Sequence, residues 1–134
     1  MNITDLPFNQ HIGLEKDEAA LKLKKRDTLL NHIGSMHAAA IYGLAESASG
    51  DYIISRVLPL FPDALVLVRE GTIRYKRPAE DDCLAEVSVG EDAFQDCIRA
   101  LERDKRASIS IPVSIESGGR QVALATFDWW FGLK

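Results

Sequence analysis

The chain has 134 residues, 46% of them hydrophobic and 27% charged, which is enough for one buried core and too short for two. Sixteen Lys+Arg against 20 Asp+Glu give a formal charge of -4, so nothing attracts it in general to nucleic acid or to an anionic membrane. No basic-then-apolar segment opens the chain and no run of about 18 apolar residues could span a bilayer, so a cytoplasmic protein is expected.

Taken in order, residues 5–11 (DLPFNQH) predict a short helix with Asp5 as N-cap, Pro7 in its first turn and an end near Gly13. Residues 20–27 (ALKLKKRD) mix apolar and basic side chains in a strand-like pattern. A long helix follows, with Ser35 as N-cap and Gly50 as its stop, and Pro59 and Pro62 punctuate the loop beyond it. LVLVREGTIRYKR (65–77) and CLAEVSV (83–89) read as two strands, expected to form a hairpin about residues 78–82. EDAFQDCIRALERD (91–104) places Phe94, Cys97, Ile98 and Leu101 at helical spacing and predicts an amphipathic surface helix. Residues 107–117 and 120–131 flank Gly118-Gly119, a strong signal for a hairpin of two long strands. Cys83 and Cys97 lack CxxC spacing and are expected to be free buried thiols; no cofactor and no metal is called for.

One apolar helix and about five strands predict an α+β fold in a single domain, a curved antiparallel sheet wrapped around a central helix. That helix carries an anomaly. Met36, Ala39, Ala40, Ile41, Leu44, Ala45 and Ala48 leave it no polar face, yet Glu46 stands among them. Burying an ionised carboxylate costs several kcal/mol unless partners are supplied.

Asn31, Gly34, His37, Ala45-Glu46 and Gly50, in the frame N-x-x-G-x-x-H-x(7)-A-E-x(3)-G, resemble the signature of hot-dog fold acyl-CoA thioesterases, particularly the phenylacetate-pathway type. The likeness extends over most of the chain and includes R-Y-x-R-P at Arg74–Pro78. It implies a hot-dog fold, a substrate thioester carried by coenzyme A or acyl carrier protein, and active sites between subunits of a dimer or dimer of dimers. It also implies that Glu46 is the nucleophile or general base and that Asn31 positions the attacking water or the thioester. His37, Ala38, Ala39 and Gly50 count as oxyanion or substrate-binding positions, the helix N-terminus offering a backbone N–H and the favourable end of its dipole. The commoner family version has His-Gly-Gly where this chain has His37-Ala38-Ala39, and the added methyls narrow the approach of a substrate carbonyl.

Blander roles stand beside each of these. Glu46 could reach solvent or cap a loop, Asn31 could serve only the turn at Gly34 and Ser35, and His37 could be purely structural, since His32 and His37 have no third zinc ligand. Lys22, Lys24, Lys25 and Arg26 at one strand end, with Arg74, Lys76 and Arg77 at another, could converge on coenzyme A phosphates, Arg77 first among them; the alternative is solvated strand faces. The sequence has no G-x-S-x-G elbow and no phosphate loop. Two rival functions remain, a hot-dog dehydratase or hydratase recruiting His37 with Glu46, and a noncatalytic acyl-CoA or fatty-acyl binding module.

Overall fold

The computed structural model describes residues 1–18 and 20–134. Its strands are β1 (Glu15–Asp17), β2 (Ala20–Leu23), β3 (Leu65–Tyr75), β4 (Cys83–Val87), β5 (Arg106–Ser117) and β6 (Arg120–Gly132); its helices are α1 (Pro7–Ile12), α2 (Ala38–Val57) and α3 (Glu91–Asp104). The six strands form one antiparallel sheet in the order β1-β2-β4-β5-β6-β3, one strand more than the sequence suggests because of the short β1.

Alternation in β5 and β6 decides which face is inside. Ile111, Val113 and Ile115 with Ala123, Ala125, Phe127, Trp129 and Phe131 all point inward and are buried, while the residues between them face out. Helix α2 lies on that inner face and buries Leu44, Ala45, Ile53 and Val57 completely. Each large side chain so removed from water contributes roughly 1.5–3 kcal/mol. Small residues set the spacing: Gly43 faces Phe8 and Ile12 of the α1 region, and Gly50 faces the Trp129 indole at 3.2 Å from where its Cβ would be. Helix α3 is pinned to α2 by Arg56, whose guanidinium lies 4.0 Å from the Phe94 ring centroid and bonds both carboxylate oxygens of Glu91.

The Gly118-Gly119 turn forms as expected, both residues at positive φ (60° and 76°). Four other expectations are corrected. Helix α2 does not stop at Gly50, because Ile53 and Val57 continue its buried face; it ends at Val57, two residues before Pro59. Its N-cap is His37, not Ser35, since Ser35 still belongs to the turn closed by the antiparallel Leu30–Met36 bridge, and His37 N–H bonds Leu29 O before the helix begins. Asp5 closes a short 3-10 turn capped by Asn2, and α1 begins at Pro7 without a side-chain cap, although it does end at a left-handed Gly13.

The fourth concerns β3 and β4, which are not a hairpin. Strand β3 pairs with β6 from Leu65↔Gly132 to Tyr75↔Ala123, while β4 lies between β2 and β5. The segment between them is a crossover rather than a tight turn: Ala79 is buried and its carbonyl accepts from Met36 N–H, and Asp82 accepts from Lys25 N–H. β3 is therefore a sheet edge. It is 11 residues long, carries a bulge between Val68 and Glu70, and exposes Leu65, Leu67 and Val68.

Candidate functional site

The N-terminal half of helix α2 presents one accessible stripe. Ala38 and Ala39 are exposed and Tyr42 and Glu46 half-buried, whereas Ala40, Ile41, Gly43, Leu44, Ala45 and Ser47 are buried. Glu46 is therefore not at a helix end, and it is only partly open to solvent. Burial pushes its pKa up, and among the described residues no hydrogen bond or opposite charge offsets it. A half-desolvated, unpaired carboxylate is a better base than a surface one.

At the N-terminus of the stripe the donors divide unequally. The His37 Nδ1 accepts from Ala39 N–H at 2.9 Å, and the His37 carbonyl accepts from Ala40 and Ile41. Ala38 N–H has no acceptor among the described residues, and it is exposed at the positive end of a 20-residue helix. His37 is thus a cap whose imidazole nitrogen is committed, and Ala38 carries the vacant donor. Sequence reasoning grouped these residues without separating the capped N–H from the open one.

Asn31 shapes the loop before the helix: its Oδ1 accepts from Ile33 and Ser35 N–H, each at 3.0 Å, and its Nδ2 donates to Ser35 Oγ at 2.9 Å. The turn role holds, and one amide N–H is left over. Asn31, Ala38, Ile41, Tyr75, Arg77 and Pro78 line a cleft of about 280 Å³. Three positions singled out from the sequence, Asn31, Ala38 and Arg77, thus meet in one place. Tyr75 was missed; its hydroxyl donates to the Ala38 carbonyl at 2.9 Å and ties the β3 edge to the start of the helix.

Other positions do not join them. Glu46 lies eight residues beyond Ala38, about 12 Å along the helix axis. Gly50 is farther still, about 18 Å from Ala38 along that axis, and it is buried against Trp129 and Ile3, so it does not reach the cleft. The two basic groups do not converge either. β2 and β3 are four strand spacings apart, about 19 Å, and Lys22, Lys24 and Arg26 turn to Asp82, Glu15 and the Ile12 carbonyl. Lys76 is held by Gln121, which leaves Arg77, among the described residues, as the exposed cation of the cleft without a side-chain partner. Cys83 and Cys97 are free and buried, each thiol pushed up to about 11 by desolvation. Among the described residues no cluster of His, Cys, Asp or Glu could hold a metal, and no helix is long and apolar enough to cross a membrane.

The sequence profile of one family, described as Domain of unknown function (DUF4442), matches residues 9–131. No curated protein matches the chain. Among solved structures, PA5026 of Pseudomonas aeruginosa, described as a protein of unknown function and probable thioesterase, is 23% identical with a TM-score of 0.86, covering 97% of this chain and 90% of that one. The phenylacetic acid degradation protein PaaI of Thermus thermophilus, solved as an Asn-to-Asp mutant, is 20% identical with a TM-score of 0.65, covering 95% and 99%. The BH2602 protein of Bacillus halodurans, solved with CoA, is 18% identical with a TM-score of 0.64, covering 90% and 72%. At these identities the likeness establishes the fold, the hot-dog arrangement of sheet around helix.

Proposed function

Because the chain belongs to the DUF4442 family and has the hot-dog fold, we propose that it hydrolyses an acyl-CoA thioester at the exposed stripe of α2. The observation that carries the proposal is the pairing, on one helix, of a vacant N–H at Ala38 with a desolvated, unpaired carboxylate at Glu46. The chemistry needs both. Water attacks the thioester carbon as Glu46 takes its proton; the carbonyl oxygen, now negative, is held by Ala38 N–H; the C–S bond then breaks and the thiolate leaves as the coenzyme A thiol with that proton. Asn31 turns its remaining amide N–H toward water or thioester, and Arg77 holds a phosphate of the coenzyme at the mouth of the cleft.

The 12 Å between Ala38 and Glu46, about eight residues of helix rise, is too long for one reacting carbon to touch both within a chain. The site is therefore completed by a second copy, one subunit giving the N–H and the other the carboxylate. The unpaired β3 edge, with exposed Leu65, Leu67 and Val68, is the surface through which two copies pair. What weakens the hydratase alternative is that the His37 Nδ1 is occupied as a helix cap.

The test is a panel of acyl-CoAs with a free-thiol reagent. Thiol release is the expected result. Hydration of an enoyl-CoA without thiol, or saturable binding with neither reaction, would replace this function by the hydratase or the binding module.

A further inference from the structure

Tyr42 occupies the middle of the α2 stripe, one turn from Ala38 and one turn from Glu46. Its ring is fixed from two sides. It stands edge-on to Phe127, with centroids 5.3 Å apart and planes at 77°, and its hydroxyl reaches β3 over Gly71, where any Cβ would collide with that hydroxyl and with the Phe127 ring. Gly71 is thus a notch in the sheet edge that seats the phenol, making it a rigid wall between α2 and β3.

We propose that Tyr42 is the specificity-determining residue of this site and restricts it to short acyl chains, an inference that rests on the thioesterase reading. A thioester oxygen on Ala38 N–H has the cleft with Arg77 beside it, and Tyr42 stands one helical turn further along the stripe. The coenzyme leaves toward the cation, so the acyl group runs along the stripe toward the phenol. The axial rise from Ala38 to Tyr42 is about 6 Å. With C–C bonds near 1.5 Å in a zigzag chain, that admits about four to six carbons before the ring is met.

The experiment is a ladder of straight acyl-CoAs of two to twelve carbons, measured as kcat/KM by thiol release, and the matching thioether analogues, which cannot be hydrolysed, measured as Kd. Wild type should peak at four to six carbons, about the length the stripe admits, and fall at least tenfold by ten. Tyr42→Ala should move the optimum to longer chains, raising the ten-to-four preference at least tenfold in both readouts; Tyr42→Phe, which keeps the ring, should keep the cut-off. If Tyr42→Ala does not fold, Tyr42→Leu should give an intermediate shift. A wild-type preference for ten or more carbons, or a variant that changes all lengths equally, overturns the proposal. If wild type releases no thiol from any ester yet binds short thioethers best, hydrolysis fails and the length limit stands; if it binds no thioether, both fall.

Discussion

Ala38→Pro isolates the vacant N–H more cleanly than any deletion of a side chain. Ala38 is the first residue of α2, where proline is favoured because its fixed φ suits the helix and no intrahelical bond is lost. His37 sits at φ -63° and ψ 140°, the extended conformation that a following proline requires. The Ala39–His37 cap and the Tyr75–Ala38 bond do not involve the deleted hydrogen. The variant should therefore melt at or slightly above wild type, by up to about 1 kcal/mol through loss of freedom in the unfolded chain. Turnover should fall by a factor of about 100 to 1,000, the usual loss for one oxyanion donor. The separation of Ala38 from Glu46 adds a second reading. Co-expressed Ala38→Pro and Glu46→Gln subunits, each inactive as homodimers, should form mixed dimers in which one of two sites is intact. With half the dimers mixed, about a quarter of wild-type activity returns. A wild-type rate in Ala38→Pro would remove that N–H from the chemistry, a melt far below wild type would show that it has a structural partner, and no recovery on mixing would put the whole site within one chain.

Glu46→Gln should lose a factor of about 100 to 10,000 in turnover. Burial penalises the ionised carboxylate, so its folded pKa lies above its unfolded one and wild-type stability falls as pH rises between them; the Gln variant should match wild type in acid and melt roughly 2–4 °C higher at neutral pH, allowing for solvent at a half-buried group, and a difference that grows in acid would reverse the assignment. His37→Ala should cost about 1 kcal/mol by uncapping α2, with His37→Asn restoring it; equal melts of both with wild type would deny the cap. Light scattering at micromolar concentration should give a multiple of 14.8 kDa, and a lone monomer would count against β3 as a shared edge.

What the sequence conveyed was whatever two or three neighbouring residues decide. Gly118-Gly119 dictated its own hairpin, residues 91–104 their own amphipathic face, and Glu46 declared itself by standing among alanines. What it hid depended on residues far along the chain. Gly50 carries the same local signal whether it ends a helix or makes room for an indole, and Trp129, which decides between them, is remote in sequence. The nearest strand to β3 along the chain is β4, yet β3 is claimed by β6, which lies beyond β4, α3 and β5. Ser35 resembles a cap as much as His37 does, and only the extended pairing at Met36 settles which nitrogen the helix needs filled.

Tyr42 falls between these cases. Its spacing from Glu46 places both on one helix face, a deduction that requires the sequence alone. That the face is accessible, and that Gly71 holds the ring in it, follows only once β3 is known to be an edge. Helix periodicity thus fixes which residues share the stripe, while sheet order fixes what the stripe can meet. In the proposed site the phenol and the carboxylate follow the donor along one 12 Å line, about two turns of helix, and that length is what calls for a second copy to bring a donor back to the carboxylate; the open β3 edge through which the copy would approach comes from the sheet order.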